Sequence, residues 1–168
     1  MDHTQRENFS VREAVWSDLD HLVDFNAAMA LETEGRLLDR QRLRAGAHAV
    51  LAAPSRGVYL VAEISEETRD RRVVGQLLIT YEWSDWRNAN FWWIQSVYVH
   101  PNWRNRGVFR SMYKYVLQQA ESRSDVCGIR LYVEQDNTRA MAVYDRLGLR
   151  PTPYRVIEVD FVLPPPDG

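Results

Sequence analysis

Apolar residues change their spacing several times along this chain, and each change marks an element. Phe9, Val11 and Glu13 alternate as in a strand over residues 9–15. Leu19, Leu22, Val23, Asn26 and Ala30 then recur at helical spacing. Ser17 is the expected N-cap there, with Asp18 and Asp20 in the first turn, where negative charge suits the helix dipole. Asp39 opens a second helix through Leu43, Ala47, Val50 and Leu51, which stops before Pro54. Residues 31–38, between the helices, read as a loop or a frayed helix end. From Gly57 the period shortens to that of strands, over 58–64 and 73–81, joined by the charged stretch 65–72. A polar segment bearing Trp83 and Trp86, residues 82–90, leads into a long aromatic strand over 91–99. His100-Pro101 ends that strand, because proline has no N–H for a ladder. Gly107 opens an amphipathic helix through Met112, Tyr115, Val116 and Gln119. A strand over 128–134, a helix over 137–147 closed by Gly148 at C′, and a last strand over 154–162 complete the pattern.

The order is β-α-α-β-β-β-α-β-α-β, a single α/β domain over residues 1–168 with a mixed sheet flanked by helices. Residues 163–168, proline-rich, form a tail expected to pack little. The strand at 91–99, its helix and the strand at 128–134 make a β-α-β unit, hence a parallel pair with a right-handed crossover.

Composition narrows the chemistry. The chain has 168 residues, 45% hydrophobic and 26% charged, enough for one globular domain. A formal net charge of −2 supplies no global basic field, so neither nucleic acid nor an anionic membrane is an expected partner. Cys127 is the lone cysteine, which excludes an intrachain disulfide, and no histidine neighbours it to activate a nucleophile. His3, His21, His48 and His100 are scattered, so no metal is expected. The first ten residues lack an apolar stretch of the kind a signal peptide carries, and no apolar run nears the roughly 20 residues a membrane span needs. A cytoplasmic enzyme or binding module is the expectation.

The chemistry concentrates where the 91–99 strand ends. A short basic loop holding Arg104 and Arg106 leads through Gly107 into a helix, with Arg110 in its first turn. The first amides of a helix have no intrahelical partner and carry partial positive charge. Glycine lets a phosphate approach the backbone, and three arginines supply neutralising charge. An R-x-x-G tetrad alone fits a solvated basic turn as well. The strand before it and the helix after it favour phosphate. Neither a nucleoside-triphosphate P-loop nor a dinucleotide G-x-G-x-x-G is present.

The stretch from Val99 to Val108 resembles the acetyl-CoA signature of the GNAT superfamily, Q/R-x-x-G-x-G/A after a strand. Residues 131–149, with Asn137, Ala140, Tyr144 and Gly148, resemble that family's second motif. The resemblance spans residues 9–162 and implies an N-acetyltransferase with acetyl-CoA as co-substrate. It implies that the backbone of Arg104, Asn105, Arg106, Gly107, Val108 and Phe109 holds the pyrophosphate, with Arg110 adding charge. Val97, Tyr98 and Val99 would pair with the pantetheine arm where the strand splays from 128–134. Asn137 would hydrogen-bond the pantetheine, and Tyr144 would protonate the departing thiolate. Phe109 departs from the family's small residue; sharing a stripe with Met112 and Val116, it is expected to turn into the core.

Many family members place a carboxylate early in the strand before the phosphate loop, and residues 91–97 here have none. Glu82 is the candidate base or water relay and Glu34 the candidate amine binder, with Glu32 and Asp85 as further acids. Beside Trp83, Trp86 and Trp92 they would form an acidic aromatic pocket suited to a cationic amine. The same tryptophans fit core or homodimer packing equally. The acceptor expected is a primary amine of a small cationic molecule. The alternatives are a protein amino group, or a non-catalytic acyl-CoA-binding module.

Overall fold

The computed structural model describes residues 9–65 and 71–163; most of the expected 65–72 turn and of the 163–168 tail lies outside them. The chain divides into two compact units, one to Leu131 and one from Tyr132. The first contains β1 (Ser10–Glu13), α1 (Leu19–Glu34), α2 (Arg40–Ala52), β2 (Val58–Ser65), β3 (Arg71–Ser84), β4 (Ala89–Val99), α3 (Val108–Glu121) and β5 (Val126–Arg130). Its sheet runs in the order β1-β2-β3-β4-β5. The first four strands pair antiparallel, and β5 pairs parallel to β4 across α3, as the β-α-β pattern requires.

Helices cover both faces of this sheet. Leu19, Leu22, Val23 and Phe25 of α1 and Ala47 of α2 form one buried cluster with Tyr59, Val61, Val73 and Tyr98. On the opposite face, Val108, Met112, Val116 and Ala120 of α3 are buried in one row at helical spacing. Gly75 makes that packing possible: a Cβ there would come within 2.9 Å of Val108 Cγ1.

Caps and register refine the sequence reading. The N-cap of α1 is Asp18 rather than Ser17, and its buried carboxylate makes no capping bond to the helix but accepts the Val15 N–H at 2.7 Å. A one-turn 3-10 helix, Trp16–Asp18, precedes α1 and displaces the cap by one residue. α1 runs through Glu34, so half of the expected 31–38 loop is helix. Gly35 stops it at φ 62, with Gly35 N–H on Leu31 O and Arg36 N–H on Ala30 O. Asp39 caps α2 through the Gln41 and Arg42 amides, as expected.

The second unit contains α4 (Thr138–Arg146), capped by Asn137 and closed by Gly148 at φ 90. Residues 154–162 form neither helix nor strand, and the expected last strand is absent from the described residues. Alternation marks residues that suit a strand, but a ladder partner is what makes one. Among the described residues no helix is long and apolar enough to cross a membrane.

Candidate functional site

The β4–β5 ladder is short. It runs from Asn90↔Val126 to Trp93↔Arg130, so β5 ends four residues before the expected 134 and leaves the edge of β4 from Ile94 onward without a β5 partner. Opposite, Gln76 pairs with Tyr98 and Leu78 with Gln95, so Ser96 and Val97 together face Leu77. That is a β-bulge, and Ser96 takes the left-handed φ of 49. Val97, Tyr98 and Val99, the residues expected to meet the pantetheine arm, therefore follow a bend on an open edge.

Beyond the bend, the His100 N–H reaches Val74 O at 2.9 Å, the last link to β3. Pro101–Trp103 forms a one-turn 3-10 helix. Asn105 at φ 66 and Gly107 at φ 91 then turn the chain into α3. Gly107 is the N-cap of α3, makes no side-chain cap, and its carbonyl accepts the first helical bond from Ser111 N–H at 2.9 Å. The first-turn amides of α3 therefore point out of the helix end, where an anion is stabilised by both hydrogen bonds and dipole. These features fit a diphosphate.

The arginines divide their work. Arg104 Nη2 is ion-paired with Glu32 Oε2 at 2.6 Å and its Nε donates to Val99 O at 2.9 Å. Arg106 stacks over Trp103 at 4.9 Å, and Arg110 is exposed on the first turn of α3. The Tyr98 hydroxyl donates to Glu32 Oε1 at 2.8 Å. Burial pushes the Glu32 carboxyl up, but the bonds from Arg104 and Tyr98 outweigh it and leave the group below its usual range. Burial and the Glu32 carboxylate together push the Tyr98 phenol up. Phe109 does not lead the core row of α3. Val108 does, and Phe109, about 100° further round, is half-buried with its ring 6.2 Å from that of Tyr113.

The acceptor candidates separate. Glu82 accepts from Trp93 Nε1 and, at 2.6 Å, from Arg130 Nη1. Arg130 in turn lies 3.6 Å above the Phe91 ring. Thr80, Glu82, Phe91, Trp93 and Gln95 share one sheet face, the one that α1 and α2 cover further along. Trp83 points to the other face and is exposed, and Asp85 accepts the Trp86 N–H in the β3–β4 turn. The expected pocket of Trp83, Trp86, Trp92 and Asp85 around Glu82 is thus not assembled. Strand alternation excludes it, and Trp93 takes the place beside the acid. Glu34 is paired with Arg36 at 3.4 Å, while Glu32 serves the loop.

In the second unit, Asn137 Oδ1 accepts the Ala140 N–H at 3.0 Å, so the oxygen caps α4. Burial raises the Tyr144 phenol above its ordinary value. Sequence reading assigns no functional role to Gln76, Asn26, Ser96, Trp93 or Arg130, and Asn26 enters it only as a member of the first helix's buried stripe. The signals for them are two carboxamides among apolar positions: Asn26 in the stripe of the first helix and Gln76 inside the run from Val73 to Ile79.

The sequence model of the Acetyltransferase (GNAT) family matches residues 19–149. A solved structure described as a possible acetyltransferase, from Clostridium difficile 630, is 39% identical with a TM-score of 0.82, covering 92% of this chain and 99% of that one. A predicted acetyltransferase from Clostridium acetobutylicum, solved with acetyl-CoA, shares the fold at 19% identity and TM-score 0.69, over 91% of this chain and 96% of that one. Thialysine N-epsilon-acetyltransferase of Bos taurus is 34% identical over 93 residues, 53% of each chain. This chain spans about half the length of that curated relative.

Proposed function

The chain belongs to the GNAT acetyltransferase family, and from that membership we propose that it transfers the acetyl group of acetyl-CoA directly to a primary amine of a small cationic molecule. One observation carries the reading: an uncapped helix start at Gly107 directly follows the open, bulged edge of β4. An amide edge for a pantetheine arm is thereby continuous with an anion site for its diphosphate.

An ammonium has no lone pair, so the acceptor reacts as the neutral amine. Its nitrogen attacks the thioester carbon, and the carbonyl oxygen takes up negative charge that amides of Val97, Tyr98 and Val99 stabilise. The C–S bond then breaks. Tyr144, held protonated by burial, gives the thiolate its proton. The proton lost by the amine passes to Glu82, directly or through water. Asn137 caps α4 with its oxygen and offers its NH₂ to a pantetheine carbonyl. Arg106, Arg110 and the amides of residues 104–109 hold the diphosphate. Glu34 attracts the acceptor's charge.

Both oxygens of Glu82 are already engaged by Trp93 and Arg130, which favours one second reading, a binding module without turnover. Thiol release from acetyl-CoA against diamines, amino acids and peptide N-termini separates the two. Turnover is expected with small cationic amines. Tight coenzyme binding by calorimetry with no thiol release from any amine supports the module instead.

A further inference from the structure

A chain of polar side chains crosses the buried middle of the sheet, and the transfer steps leave it unused. Asn26 of α1, Tyr59 of β2 and Gln76 of β3 are 7%, 6% and 0% exposed. Gln76 Nε2 donates to Asn26 Oδ1 at 3.0 Å and to the Ser96 carbonyl at 3.3 Å. Asn26 Nδ2 donates to the Tyr59 hydroxyl at 3.2 Å. Burying carboxamides is costly, and here the compensation is incomplete, because Gln76 Oε1 is buried without a protein partner. The amide is nevertheless oriented. Turned over, it would set its oxygen against two other acceptors, Asn26 Oδ1 and Ser96 O.

The bond to Ser96 falls at the bulge itself. Serine seldom adopts a left-handed φ, and such a conformation persists only where its surroundings over-determine it. A bulge also disrupts the local ladder, and here a buried side chain takes up the bulge carbonyl. We infer that Gln76, oriented by Asn26, is a positioning residue that pins the Ser96 bulge and so aims the Val97-Tyr98-Val99 backbone at the thioester. This rests on the reading of that edge as the thioester site. It also links α1, the helix that carries Glu32 and Glu34, to the backbone that stabilises the developing charge.

Gln76→Met keeps the side-chain volume and removes the donor, and Asn26→Leu removes the group that orients it. The double variant Asn26→Leu/Gln76→Met replaces both partners with apolar groups, which recovers stability. Steady-state kinetics are measured with each variant fully folded by circular dichroism, alongside amide hydrogen exchange of residues 95–99 without substrate. Expected in all three is a fall in kcat of about tenfold to a hundredfold with KM for acetyl-CoA within about threefold. Exchange over 95–99 should be at least roughly tenfold faster. Unchanged exchange, or a kcat that recovers with stability in the double variant, overturns the inference. If the unaltered protein acetylates no amine, the transfer reading fails, while the exchange measurement still decides whether Gln76 holds the bulge.

Discussion

Arg104 is tied to Glu32 across 2.6 Å, and the pair joins the loop after β4 to the end of α1. A coenzyme diphosphate at that loop competes with Glu32 for the guanidinium. Glu32→Gln removes the competitor and keeps an acceptor for Tyr98, so coenzyme A should bind about threefold to tenfold tighter by calorimetry. Arg104→Ala should weaken it by about tenfold. Both effects shrink as salt is raised, because the pair is partly exposed. Weaker binding in Glu32→Gln would show that Arg104 does not face the diphosphate.

A second arginine cluster governs stability. Arg12 bridges Asp18, at 2.7 Å, and Glu63, and both carboxylates are nearly inaccessible. Burial pushes the Asp18 carboxyl up, but the Arg12 and Val15 hydrogen bonds outweigh it and leave the folded-state value lowered. A group lowered on folding stabilises the protein above its unfolded value, near 3.9, and loses that contribution as pH falls through its folded value below. Asp18→Ala should cost about 3 kcal/mol at pH 7 by denaturant unfolding, because it leaves Arg12 short of a partner. It should also flatten the loss of stability below about pH 4.

What the sequence revealed and concealed follows from how far each feature depends on pairing. The β-α-β unit and the turn into α3 were legible because Pro101 and Gly107 punctuate the chain locally. Asp39 and Gly148 announced helix ends for the same reason. The Ser96 bulge was not legible, since it exists only through the register of β3 against β4. The acidic aromatic pocket was misassembled because Glu82 and Trp83, neighbours in sequence, face opposite sides of a strand. The strand expected over 154–162 carries the right alternation but has no ladder in the described residues.

Glu82→Gln tests the proton acceptor. The amide still accepts from Trp93 but cannot take a proton, so kcat should fall about a hundredfold with little change in coenzyme affinity. A kcat within about twofold of the parent would move the base elsewhere.

Tyr144→Phe should lower kcat about a hundredfold and leave coenzyme binding nearly unchanged, the signature of a group used only in the transition state. Burial raises the phenol, so it stays protonated through neutral pH. The alkaline fall in kcat that it controls should therefore begin above its usual value near 10. That fall should be absent from the Phe variant.

Gly107 separates backbone strain from steric crowding. Its φ is 91, and a Cβ added there would meet no atom within 4 Å. Gly107→Ala therefore costs conformational energy alone, about 1–2 kcal/mol by denaturant unfolding. The helix can relieve that strain only by rotating its first peptide units, which carry the amides proposed to hold the diphosphate. Coenzyme A affinity should fall about tenfold or more, beyond what the stability loss explains in a protein that remains folded. Desulfo-coenzyme A keeps the diphosphate and should lose the same factor, whereas pantetheine lacks it and should lose none. A variant equally weakened toward pantetheine would mean that the turn supports the fold of β4 rather than the anion.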